Sequence, residues 1–194
     1  MKLAFVAHSY GNVALLEKAL VALVDHHRVG RVVALETAAD DMEAVLRSRA
    51  LRFPTELPPD DPAFADYVLA SVLSGQVEVP EEEVERTERL RAACVVGRSS
   101  QIHTLARHRI GIGVTSADPN SLAVVVLTGV ERRLIARDEA PVRVGPGHLR
   151  GPLHEGEPAA CLVIEATEEG LQGQFVAPDG ARLGKAEILE VGRG

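Results

Sequence analysis

The sequence predicts an α/β protein whose last third is rich in β-strand. Three observations carry this expectation. The chain opens with an apolar run, a helical repeat and a second apolar run. A mostly helical stretch follows over 38–93, and from Glu131 onward short apolar runs alternate with turn signals. At 194 residues the length suits one domain with a sizeable core. A single domain is therefore expected over 1–194, with a divergent helical segment at 38–93.

The elements follow in order. Residues 2–7 form a short apolar run, the mark of a buried strand. Asn12 can cap the helix that follows, in which Val13, Leu16, Leu20, Leu23 and Val24 recur at helical spacing as far as His26 to Gly30. Residues 31–35 read as a second strand, and this spacing implies a right-handed parallel crossover. Asp40 or Asp41 is expected to start a short helix, Asp61-Pro62 another, and Pro80 a third. In the third, Glu82/Arg86 and Glu85/Arg89 lie four apart and support an exposed helix, whereas Glu81/Glu85 is a like-charge pair. Residues 92–96, 110–115 and 122–127 read as strands. Ser99 is expected to cap a helix containing Ile102, Leu105 and Ala106. Closing strands are expected at 133–136, 142–144, 159–165, 171–177 and 182–191, separated by the turn signals GPGHLRGP, EEG and PDG.

Bulk properties narrow the function. The formal net charge is −7, with no basic run interleaved with aromatics, which argues against nucleic acid as a partner. The apolar stretch from Leu3 to Ala7 is too short for a signal-peptide core, and no stretch approaches bilayer length, so a cytoplasmic location without membrane association is expected. Cys94 and Cys161 sit in apolar runs and read as buried free thiols. Arg outnumbers Lys, and Ala and Val are abundant, a composition typical of GC-rich bacterial genomes.

Several weaker signals read as structural. Gly97-Arg98-Ser99 begins like a nucleophile elbow, but Gln101 stands where a glycine is needed. His103 and His108, five apart, do not share a helix face and are expected at the surface. His26 and His27 lie at a helix C-terminus, where the dipole favours positive charge. GIGVTS has too few glycines, in the wrong register, for a dinucleotide loop.

Two stretches, FVAHSYGNVALLEKAL and VGPGHLRGPLHEGEPAACLVIEATEEGLQGQFVAPDG, resemble the calcineurin-like metallophosphoesterases. The first resembles their opening strand, Asp-x-His pair and Gly-Asn; the second, the final turn and closing strands of the small, bacterial-phosphodiesterase-like branch. The resemblance spans essentially the whole chain and is weakest over 38–93. It implies a four-layer α/β/β/α sandwich with active-site loops at strand ends. The same fold serves as a scaffold in the smallest retromer subunit.

Followed position by position, the resemblance implies that nearly all metal ligands have been replaced. The Asp-x-His pair falls on His8 and Tyr10, with Gly11 and Asn12 retained. The Gly-Asp after the second strand falls on Glu36 and Thr37, and the Gly-Asn-x-Asp after the third on Gly97, Arg98, Ser99 and Ser100. The lone His falls near Ser116, and the Gly-His-x-His near Thr128, Gly129, Val130 and Glu131. The final Ser falls on His148. A two-metal centre holds its cations roughly 3.5–4 Å apart through a bridging carboxylate. The neutral hydroxyl of Thr37 cannot offset their repulsion, and Arg98 is a permanent cation. These changes imply no metal cofactor and no metal-dependent phosphoester hydrolysis. Arg98 either pairs with Glu36 or Glu131 and plugs the old cavity, or joins His8 and His148, with Arg132 and Arg133 nearby, in holding an anion.

Half of the six aromatic residues, Phe53, Phe64 and Tyr67, fall between Leu51 and Val72, beside Leu57 and several prolines. This segment either packs over the sandwich or forms a partner-binding surface. The sequence is therefore read as a non-catalytic protein-interaction or scaffold subunit with a protein partner and possible homo-oligomer formation. The alternative is a sensor of a phosphorylated or anionic small molecule at the vestigial site. An enzyme with altered chemistry through Glu36 or His8 ranks third.

Overall fold

The computed structural model describes residues 1–50, 81–113, 121–137, 141–154 and 156–191. Phe53, Leu57, Phe64, Tyr67, Ser116 and the Asp61-Pro62 helix start lie outside them.

The opening crossover forms as the pattern requires. Strand β1 (Lys2–Val6) leads through Asn12 into α1 (Val13–Val21), and the Asn12 side chain accepts a 3.1 Å hydrogen bond from the Leu15 N–H. A π-helical turn (Ala22–His26) extends α1 before β2 (Arg31–Ala34), which pairs parallel with β1. Helix α2 (Thr37–Ala50) begins three residues before the expected start. Asp41 does not cap it; its carboxylate is committed to the loop after β1 instead. Helix α3 (Glu81–Ala93) leads into β3 (Cys94–Val96), and Arg86 pairs with Glu82, Glu83 and Asp25.

One expected helix is a β-hairpin. Strands β4 (Ile102–Leu105) and β5 (His108–Ile112) pair antiparallel across Ala106 and Arg107, with Ala106 at φ 54°. Ile102, Leu105 and Ala106 have helical spacing, but the alternation that counts is the strand's. His103 and Leu105 are buried while Thr104 between them is exposed. His103 and His108 are therefore buried, 6% and 8% exposed, rather than at the surface.

The remaining strands are β6 (Val124–Val126), β7 (Arg133–Ala136), β8 (Val142–Pro146), the short pair β9 (Leu153–His154) and β10 (Glu157–Pro158), β11 (Cys161–Thr167), β12 (Gly170–Val176) and β13 (Glu187–Val191). Two mixed sheets result: six strands in the order β13-β12-β11-β1-β2-β3, and five in the order β4-β5-β6-β8-β7. Phe5, Val33, Ile110, Ile112, Val126, Leu162 and Ile164 fill the space between them. Leu16, Leu20, Leu23, Met42 and Leu90 pack the helices on the other face of the first sheet. The described residues thus form three of the four expected layers. Cys94 and Cys161 are buried free thiols, each pushed up to about 12 by burial, so neither is a ready thiolate. Among the described residues no helix is long and apolar enough to cross a membrane.

Gly145 in β8 packs tightly against the residues that lead into β7. A Cβ there would stand 2.7 Å from the Arg132 carbonyl oxygen and 2.9 Å from Val130 Cγ1. Gly145→Ala is expected to cost about 1–3 kcal/mol, because a backbone atom must move. Urea unfolding measures this, and an unchanged midpoint would contradict the packing described.

Candidate functional site

The loops that leave β1, β2, β3, β6 and β8 carry the candidate residues. Several hold backbone that their residue types avoid: His8, Tyr10, Glu36 and Ser100 have φ of 52°, 47°, 53° and 68°. Left-handed backbone at a non-glycine residue costs on the order of 1 kcal/mol and clusters at functional sites. Three of the loops therefore hold strained backbone at the positions that the resemblance assigns to metal ligands.

Long-range hydrogen bonds fasten these loops together. The Tyr10 N–H donates to Thr37 Oγ1 at 3.0 Å, and the Gly129 N–H donates to Glu36 Oε1 at 3.1 Å. Asp41 accepts from both the buried Ser9 hydroxyl and the Gly11 N–H. Asn12 Nδ2 donates to the Arg150 carbonyl at 3.2 Å. The Leu149 N–H reaches the His8 carbonyl at 3.3 Å, tying the loop after β8 to the loop after β1.

At the centre of the site a carboxylate is enclosed by donors. Glu131 accepts from the Tyr10 hydroxyl at 2.7 Å and lies 3.6 Å from Arg150 Nη1 and 3.5 Å from His154 Nε2. The Arg150 guanidinium sits over the Tyr10 ring, 4.5 Å from its centroid. The Tyr10 hydrogen bond chiefly holds the Glu131 carboxyl below its usual range, helped by the charges of His8, Arg150 and His154. The same bond raises the Tyr10 hydroxyl.

Two histidines line the interior. His8 is 4% exposed, stacks on Tyr10 with ring centroids 6.0 Å apart, and is hydrogen-bonded by the Val130 backbone. Burial lowers its pKa, against the opposing pull of Glu131 and Glu36. His148 is 1% exposed, donates from Nε2 to the Glu157 carbonyl at 3.0 Å, and stands edge-on to His154. His8 Nε2 and His148 Nδ1 are buried without a hydrogen-bond partner.

The site thus gathers His8, Tyr10, Asn12, Glu36, Thr37, Glu131 and His148. Arg98, Ser99 and Ser100 are exposed on a loop of their own. The Arg98 N–H donates to Gln101 Oε1, and the Ser100 N–H to the Ile112 carbonyl. No hydrogen bond or ion pair joins Arg98 to Glu36 or Glu131. The expected pairing is corrected: Arg150 supplies the cation, because Gln101 fastens the Arg98 loop back on itself while the turn after β8 carries Arg150 over Tyr10. Arg133 pairs instead with Glu157. Asp41, Arg150 and His154 were absent from the expected site. Arg150 lies two residues after His148 in the same GPGHLRGP turn, which was the available signal for it.

The donor set does not fit a two-metal centre. The hydroxyl at the aligned bridging position accepts a backbone N–H, Glu36 accepts from the Gly129 N–H, and Glu131 lies 3.6 Å from the Arg150 guanidinium. Among the described residues no group of three or more His, Cys, Asp and Glu is arranged to hold a metal ion.

The chain has two facing mixed sheets with the candidate residues in loops at strand ends, and its likeness to solved structures shows the calcineurin-like metallophosphoesterase fold. Over 96% of its length it is similar to a predicted phosphoesterase from Streptococcus pneumoniae, with 95% of that chain covered, 13% identity and a TM-score of 0.52. Over 91% it is similar to an archaeal phosphodiesterase, with 100% of that chain covered, 9% identity and a TM-score of 0.52. Over 91% it is also similar to a hypothetical protein from Pyrococcus horikoshii, with 87% of that chain covered, 12% identity and a TM-score of 0.50. No family model and no curated protein matches the chain.

Proposed function

We propose that this protein is a non-catalytic member of the metallophosphoesterase fold that acts as a protein-interaction or scaffold subunit. The observation that carries the non-catalytic reading is the Tyr10–Glu131–Arg150 clasp, closed by a 2.7 Å hydrogen bond and a guanidinium 3.6 Å from the carboxylate. A group so engaged would have to shed both partners before meeting a metal, while Thr37 offers no second negative charge. With catalysis set aside, the fold's remaining asset is its surface, and the aromatic segment holding Phe53, Leu57, Phe64 and Tyr67 is the proposed partner contact. Two reduced, buried thiols suit a cytoplasmic setting.

A second reading, an anion sensor using His8, Arg98 and His148, draws support from the unpartnered His8 Nε2 and His148 Nδ1. The charges of Glu36 and Glu131, both felt by His8, oppose an anion there. The test is a Mn²⁺ titration of chelator-treated protein by calorimetry, with a generic phosphodiester assay on the same sample. The expected result is no saturable heat and no turnover. Tight binding of two ions with hydrolysis would overturn the non-catalytic reading.

A further inference from the structure

At the rim of the vestigial site, Glu131 Oε2, Arg150 Nη1 and His154 Nε2 form a triangle. Its sides are 3.6 Å from Glu131 to Arg150, 3.5 Å from Glu131 to His154 and 3.2 Å from Arg150 to His154. The Tyr10 hydroxyl uses the other carboxylate oxygen, donating to Oε1 at 2.7 Å. Arg150 and His154 therefore address the same oxygen. The short side between them fixes their roles. A guanidinium only donates, so His154 Nε2 presents its lone pair to Arg150, and the ring in this arrangement is neutral with its proton on Nδ1.

Protonation of His154 breaks this triangle. Nε2 then carries a hydrogen that faces an Arg150 N–H, leaving two cations 3.2 Å apart with no lone pair between them. The imidazolium also becomes a charge-assisted donor to Glu131 Oε2, where Arg150 is its competitor. Packing decides which cation leaves. The His154 side chain is 27% exposed and the Arg150 side chain 45%, and the His154 ring stands edge-on to the buried His148, with centroids 5.4 Å apart. Arg150 rests only over the Tyr10 ring on its solvent side. The Arg150 backbone is held separately, through its carbonyl, by Asn12 Nδ2. The other ionisable neighbours are committed elsewhere. His148 Nε2 donates to the Glu157 carbonyl, and Glu157, opposite His154 on β10, pairs its carboxylate with Arg133. His8 is hydrogen-bonded by the Val130 backbone, and Tyr10 is on Oε1.

We propose that Glu131 Oε2 exchanges partners with pH: neutral His154 keeps Arg150 over Tyr10, and protonated His154 takes the oxygen and releases the Arg150 side chain, uncovering the tyrosine ring. The bond between Tyr10 and Glu131 survives because it uses Oε1, so the loops after β1 and β6 stay joined. The change is confined to one side chain and alters what the rim presents. Tyr10 is 47% exposed even under Arg150. A bare tyrosine and a free guanidinium are residue types that anchor protein contacts, so the exchange makes contact at this rim depend on pH. It rests on the same clasp as the proposed function and adds a control over it.

The test is an NMR titration of the full, metal-free chain between about pH 8 and pH 5, the span in which histidines change charge. While Arg150 lies over Tyr10, the ring displaces the Arg150 methylene protons upfield. Most of that displacement is expected to disappear on acidification, with the same midpoint as the His154 ring protons. His154→Gln keeps an acceptor for Arg150 without a titrating group and is expected to hold the displacement across the whole range. His8→Gln is expected to leave the loss in place. Two results would each overturn the proposal: a wild-type displacement that persists through the His154 titration, or a loss that survives in His154→Gln. The first is read on the wild type alone and does not depend on how a variant folds. The Mn²⁺ titration at neutral pH probes only the closed clasp, so either reading can fail without the other.

Discussion

Phe5→Ala is expected to destabilise the protein by about 3–5 kcal/mol, the range for truncating a buried phenylalanine. Phe5 is fully buried in the layer between the two sheets, in one cluster with Ile110, Leu162 and Ile164. Because β1 pairs with β2 on one side and β11 on the other, the void would open in the middle of the first sheet. Rigid strands on both sides cannot collapse into it, which places the cost at the upper end. For a protein of this length each kcal/mol lowers Tm by about 2–4 °C, so a loss of about 10–20 °C is expected. Val84→Ala on α3 is the control: Val84 is 47% exposed, and its truncation should change stability by less than about 0.5 kcal/mol. Equal effects from the two variants would mean that the sheets do not pack face to face as described.

Acidification should destabilise the protein in two separate pH windows. His8 and His103 both have lowered pKa values, in each case chiefly through burial. His148 lowers His8 further while Glu131 and Glu36 oppose, and Arg31 lowers His103 further. Below the ordinary histidine value of 6.5, the unfolded chain therefore binds more protons than the folded one. Stability is fully present above that value and falls as pH drops through it, levelling off below the depressed folded values. Each group contributes a slope of at most about 1.4 kcal/mol per pH unit. Glu131 acts lower down: with its carboxyl held below 4.5, its contribution is present above that value and lost as pH falls through the folded pKa. Urea midpoints at pH 7.5, 6.5 and 5.5 should decline, and the double variant His8→Gln/His103→Gln should flatten that decline whatever its effect at pH 7.5. A wild-type midpoint that stays level across this range would show that neither histidine is buried uncharged.

The legible parts of the fold were those set by near neighbours in the chain. The β1–α1–β2 crossover, the Asn12 cap and the β-rich close all follow from spacing of a few residues, where apolar periodicity and one side-chain cap decide the local structure. The β4–β5 hairpin was misread for the same reason. Ile102, Leu105 and Ala106 satisfy helical spacing, and only pairing with β5 and packing of His103 against Phe5 select the strand. The site residues could be placed in loops at strand ends because the opening and closing stretches resemble a known fold.

Which side chains meet was beyond the sequence. The bond between Tyr10 and Glu131 spans 121 positions, and no spacing rule reaches that far. The resemblance places Arg98 at the site and assigns Arg150 no role. Tertiary structure chose Arg150, since the turn after β8 lies over the loop after β1 while Gln101 holds the Arg98 loop away. By itself the sequence determined the fold class and the buried thiols, both properties of residue type and local pattern. The meeting of Tyr10, Glu131 and Arg150, from the loops after β1, β6 and β8, was decided by the tertiary structure. It depends on distances between segments that chain connectivity leaves free and that only packing of the two sheets fixes.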